Sequence, residues 1–231
     1  MTESKRTNDQ AGETASDGSG RTVRRSPGLQ ARSRERVDQI LSAAEELISL
    51  HGYEGLKMRE LTRMTGLPIA SIYHYFPSNA AILRTLIERH LDGLRGVIAS
   101  SLERHLAKGV PPQDVPEAVT LVVRTVADHL RGSPITTALW DALRAVPELR
   151  VLDIDDTVAT ARLLTPYIAR VAPNAQLDQL SDFSVIFVEA MQSNLTAIMH
   201  SPPDRQETLI DALGQFASAT IRGLQLGEHR S

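Results

Sequence analysis

The densest run of chemically useful side chains in the sequence is Ser71-Ile72-Tyr73-His74-Tyr75-Phe76, preceded by Pro68-Ile69-Ala70. Its hydroxyl, phenols and imidazole can hydrogen-bond phosphate oxygens, and Ser71 can also reach a base edge. Ile69 and Ala70 are of a size to meet a thymine methyl group. What bond-breaking chemistry needs is missing. The chain holds no HExxH, GxSxG, P-loop or dinucleotide glycine pattern, and its seven histidines include no i, i+4 pair that could share a metal. Asp153, Asp155 and Asp156 invite a metal reading, but an acidic cluster just before a helix is more often a capping and dipole feature. No catalytic residue, metal or cofactor is expected, and the chain is not read as an enzyme.

Side chains that read a duplex must be held out on a short rigid element. Met58, Leu61 and Met64 recur at three-residue spacing, which predicts a short helix with one apolar stripe. Gly66 then supplies a left-handed turn, and Pro68 suits the first turn of a second short helix. This is a helix-turn-helix pattern, in which the second helix enters the major groove and the flanks grip phosphates. A longer helix from Arg36 to Gly52 precedes it, with Ile40, Leu41, Ala44, Leu47 and Ile48 on one face. Ser78 follows as an N-cap for another long helix.

Ile40-Leu41, Ala43-Ala44, Gly52-Tyr53, Met58-Arg59-Glu60-Leu61, Thr65-Gly66-Leu67, Ile72-Tyr73 and Tyr75-Phe76-Pro77-Ser78 together resemble the N-terminal domain of the TetR family of bacterial transcriptional regulators. The resemblance covers roughly Arg34 to Leu83. It implies a homodimer that binds double-stranded operator DNA and responds to a small-molecule effector. Three positions depart from the family pattern: Asn79 stands where a phosphate-holding lysine is usual, Pro68 where a serine cap is frequent, and Lys57 where a threonine or serine caps the first helix of the pair. The DNA-facing set is Arg34, Arg59, Ile69, Ala70, Ser71, Tyr73, His74, Ser78 and Asn79.

The net charge of −3 over 231 residues conceals an asymmetry. From Arg21 to Arg84 there are ten basic and six acidic residues, a net of +4, leaving −7 for the remainder. A positive head on an acidic body attracts DNA through the head alone. With no cysteine, nothing calls for an oxidising compartment. No apolar run approaches the roughly 20 residues that span a bilayer. A cytoplasmic protein with no membrane partner is expected.

Periodic segments after residue 30 all read as helical, so the expected architecture is all-α. A three-helix helix-turn-helix domain (31–77) is followed by a helical effector-binding and dimerisation domain (78–231). Residues 1–30, polar and basic, are expected to form a disordered arm. Body helices are predicted at Asn79 to His105, Val115 to Leu130, Pro134 to Val146, Thr157 to Val171, Leu177 to His200 and Asp204 to Leu226. Phe183 to Met199 is apolar almost all the way round, which requires cover on two sides. The last helix carries small residues that permit close approach. Phe187, Met191, Leu195, Gly214 and Ala217 are therefore expected at a dimer interface, with a central helix in a monomer as the other reading. His129, Trp140, Tyr167, Glu189, Met191 and Asn194 are the candidate effector contacts, suggesting a largely apolar ligand. The function expected is that of a repressor released from its operator by such a ligand. Its rival is a helical ligand-binding or adaptor protein with a weakened helix-turn-helix.

Overall fold

The computed structural model describes residues 27–107 and 109–227. Among them the regular structure is entirely helical. The order is α1 (Pro27–His51), α2 (Met58–Thr65), α3 (Ile69–Tyr75), α4 (Asn79–His105), α5 (Val115–Arg131), α6 (Thr136–Ala145), α7 (Arg150–Ile168), α8 (Leu177–Met199) and α9 (Pro203–Gly227). Short 3₁₀ turns lie at Tyr53–Gly55, Pro112–Asp114 and Pro147–Leu149. The chain divides into a unit ending at Arg36 and a second from Val37 onward. α1 starts at Pro27, well before the expected Arg36, because proline at a first helical position forfeits no internal hydrogen bond. The rest of the expected disordered arm lies outside the described residues.

In the second unit, Ile40, Leu41, Ala44, Leu47 and Ile48 of α1 are buried in one cluster with Leu56, Met58, Leu61, Ile72, Phe76 and the first turns of α4. Ile72 is the single fully buried residue of α3, with Tyr75 packed beside it against the same core, so the face of Ile69, Ala70, Tyr73 and His74 stays exposed. The turn before it is fixed at both ends. Gly66 adopts φ 68°, a conformation a Cβ would strain, and its N–H donates to the Thr62 carbonyl. Gln39 Nε2 donates to the Thr65 carbonyl at 2.9 Å, and the Thr65 hydroxyl accepts from the Leu67 N–H at 3.2 Å.

α4 links this head to the body, and the 3₁₀ turn at Tyr53–Gly55 also touches α6. In the body α5 lies along α9. A Cβ on Gly214 would sit 2.7 Å from Thr120 Cγ2, and the Thr120 hydroxyl donates to the Gly214 carbonyl at 3.1 Å. Arg124 bridges Glu207 and Asp211, and Arg131 also pairs with Glu207, across the same two helices. α7 packs on α8 through Thr165 to Ser184 and Thr157 to Gln192 hydrogen bonds, each 3.0 Å.

Two expectations need correction. α7 begins at Arg150, so Asp153, Asp155 and Asp156 lie within the helix and do not precede it as caps. Phe187, Met191 and Leu195 are buried inside their own body, and Gly214 and Ala217 are buried too, Gly214 against α5. An apolar helix with little polar marking gives no phase from sequence, so the face expected at a partner is the one that turns inward. The exposed stripes are Ile186 and Ala197 on α8 and Ala212, Phe216 and Ala219 on α9, with Ile186 71% and Phe216 51% exposed.

Candidate nucleic-acid interface and enclosed cavity

α2, α3 and the start of α4 converge on one open groove. Lys57, Arg59, Ile69, Tyr73, Ser78 and Asn79 all line it. Ile69, Ala70, Tyr73 and His74 are exposed along α3, with Tyr73 at 48%, and Ser71 is half-buried. The Ser78 hydroxyl accepts from the Ala81 N–H at 3.2 Å, which caps α4 while leaving its own proton free to donate. Arg34 is exposed on α1 within the first unit.

Asn79 is spent on structure. Its Nδ2 donates to the Leu56 carbonyl at 2.7 Å, and its Oδ1 is buried without a partner. It borders the groove as a strut with no charge to offer. The groove carries Lys57 and Arg59 against Glu60, and Lys57 lies outside the expected set of contacts. Lys57 is the N-cap of α2, makes no side-chain cap, and has no carboxylate within ion-pair distance among the described residues. Its exposed ammonium lines the same groove as Ser78 and Asn79. Sequence marks the residue only as an odd cap, since α2 and α4 start far apart in the chain.

The body holds a partly open cavity of about 100 Å³ lined by α4, α5, α7 and α8, with Trp140 of α6 and Ile221 of α9. Its walls are aliphatic, from Leu94 to Leu102 on α4, Leu106 just past its end, and Val115 to Leu130 on α5, with Trp140, Tyr167, Phe187, Met191 and Leu195 completing them. The polar exceptions are Asp156, Thr160 and Gln192 at one end, none of them among the expected ligand contacts. Asp156, 5% exposed, is ion-paired with Arg95, which also holds Asp92. Burial pushes the Asp156 carboxyl above its ordinary value, opposed by the attraction of Arg95. Among the expected ligand contacts, Trp140, Tyr167 and Met191 line the cavity. His129 and Asn194 are exposed elsewhere, and the Asn194 amide donates to the Ala190 carbonyl within α8. Glu189 lines a small polar pocket with Arg144, Asp153 and Ser193, which shares Trp140 and Gln192 with the cavity. No helix among the described residues is long and apolar enough to cross a membrane.

α2, the Gly66 turn and α3 form a helix-turn-helix beside the groove, and a helical body with an apolar cavity follows it. Residues 40–86 match the model of bacterial regulatory proteins of the tetR family. The chain is 32% identical over 106 residues to the HTH-type transcriptional regulator YdgC of Bacillus subtilis, an alignment spanning 46% of this chain and 50% of YdgC. It is 26% identical to the HTH-type transcriptional repressor KstR of Rhodococcus jostii, with 45% of each chain covered. The chain thus spans about half the length of the curated relatives it matches. The fold is similar to that of the TetR-family regulator PfmR from Thermus thermophilus, with TM-score 0.55, 21% identity, and 80% of this chain and 98% of that one covered. The match to the tetR family of bacterial regulatory proteins thus lies in the helix-turn-helix head, at residues 40–86.

Proposed function

We propose that the protein is a homodimeric repressor that leaves its operator when a small, largely apolar molecule fills the body cavity. The observation that carries this is the double role of α4. Its first turn borders the DNA-facing groove at Ser78, Asn79 and Ala80, and its later turns, from Leu94 to Leu102, are a cavity wall. A ligand that shifts α4 displaces the reading head with it, and a coupling of about 1–3 kcal/mol is enough to change occupancy of DNA. The name of the relative KstR supports repression. A second copy fits against the exposed stripes of α8 and α9, since a two-fold operator needs two heads. Lys57 and Arg59 in one groove weigh against a weakened head.

Operator release is tested by titrating apolar compounds while following Trp140 fluorescence and DNA binding together. Trp140 is the only tryptophan and lies on the cavity wall. The same compound should quench Trp140 and release DNA over one concentration range. Saturable quenching by every binder with unchanged DNA affinity would refute ligand gating.

A further inference from the structure

From the cavity and the groove beside it, we infer that the effector is a linear amphiphile with an anionic head, lying lengthwise along the body. The inference rests on the reading of the cavity as an effector site and specifies what enters it. The cavity wall runs from Leu94 to Leu102 on α4, with Leu106 just past its end, and from Asp156 to Ile168 on α7, a twelve-residue step along that helix. The α7 step rises about 18 Å, the span of an extended chain of roughly fourteen carbons. The lining runs along both helices, so the cavity is elongated in their direction and suits a linear chain better than a compact one.

One end of the cavity abuts an open groove. Leu106 and Tyr167 line both spaces, so they form the partition between them. Outside the partition the groove presents Arg162 and Arg170 against one acid, Glu103. Arg170 is held in place by donating to the carbonyls of Leu106, Ala107 and Val110, which leaves its positive charge without a carboxylate. Arg162 is exposed and has no carboxylate within ion-pair distance among the described residues. Pro166, inside α7, gives up the hydrogen bond to the Arg162 carbonyl and lies on the groove floor. Two guanidinium groups across the Leu106 and Tyr167 partition from an aliphatic cavity favour a carboxylate or phosphate head over an ammonium one. Trp140 and Gln192 sit toward the opposite end, so only a chain long enough to run the length of the cavity reaches the tryptophan.

The full-length protein is titrated, without DNA and below micelle-forming concentrations, with tetradecanoate, tetradecanoyl-CoA, tetradecanol, tetradecyltrimethylammonium and a sterol. Trp140 fluorescence reports occupancy. One or both anions should bind tightest, a free carboxylate or a phosphate-bearing thioester being told apart by which of the two does. Octanoate should leave Trp140 unchanged. Arg162→Glu should weaken the anions by about tenfold or more, strengthen the ammonium compound and leave tetradecanol unaltered. Tetradecanol serves as the folding control, and Arg162→Gln should fall between. Preference for the ammonium compound or the sterol, equal effects of Arg162→Glu on all ligands, or no binding of any linear chain would overturn the inference. Gated release by a different compound would survive that result. Saturable binding of the anions with operator affinity unchanged would instead overturn the gating and leave the ligand class standing.

Discussion

The Asn79 side-chain amide donates to the Leu56 carbonyl at 2.7 Å, tying the first residue of α4 to the end of the 3₁₀ turn that leads into α2. The same turn touches α6, the helix of Trp140. The head is therefore joined to the body by α4, by this strut and by the α6 contact. Asn79→Ala removes one neutral hydrogen bond and leaves a carbonyl unpartnered, so it should cost about 1–2 kcal/mol in chemical denaturation. A variant as stable as the wild type would show that the strut does not hold the head.

Lys57→Ala should leave stability unchanged, because the side chain is exposed and makes no cap. Its effect should fall on DNA. Affinity should drop evenly across sequences, and the slope of log affinity against log salt should become shallower by about 0.9. Equilibrium titrations at several salt concentrations check this. An unaltered slope would place Lys57 away from the backbone.

The exposed faces of α8 and α9 and their buried faces should respond differently to mutation. Phe216→Glu and Ala219→Arg should give folded monomers, seen by sedimentation, because they put charge on outward stripes. Gly214→Ala should instead destabilise each subunit, since its new Cβ would press on Thr120 of α5. Overpacking of this kind costs about 1–3 kcal/mol. Folded dimers from Phe216→Glu would exclude these stripes as the interface.

His90 on α4 should make stability fall on mild acidification. Burial lowers its pKa below the ordinary 6.5, and His129 lowers it further. Its Nε2 is buried with no partner. A depressed folded pKa means the unfolded chain binds more protons between the two values. The contribution is thus full above about pH 6.5 and lost as pH falls toward the folded value. Between about pH 7.5 and about 5.5 the wild type should lose more stability than His90→Gln. Equal losses would mean that His90 carries no such penalty.

The head is legible in the sequence because its signals are local. Gly66 and Pro68 mark helix ends by their backbone chemistry and Ser78 by its hydroxyl, and Met58 and Leu61 are buried where three-residue spacing puts them. The body is legible only as helices. Nothing within Phe183 to Met199 says which side turns inward, so Phe187, Met191 and Leu195 read as partner contacts yet belong to the cavity. Gly214 signals close approach without naming what approaches. Asp156 finds Arg95 only through the fold, 61 residues away along the chain. The nearness of Lys57 to Ser78 and Asn79 likewise emerges only when the starts of α2 and α4 meet.

Specific recognition of duplex DNA is the central claim, and one titration tests it most directly. Labelled duplexes tiling the DNA upstream of the protein's own coding region are titrated at physiological salt against excess unrelated DNA. One duplex should bind at least about a thousandfold more tightly than the competitor. Tyr73→Ala should lose that preference while remaining a folded dimer. A folded, dimeric wild-type protein that binds every duplex no better than the competitor would contradict the account.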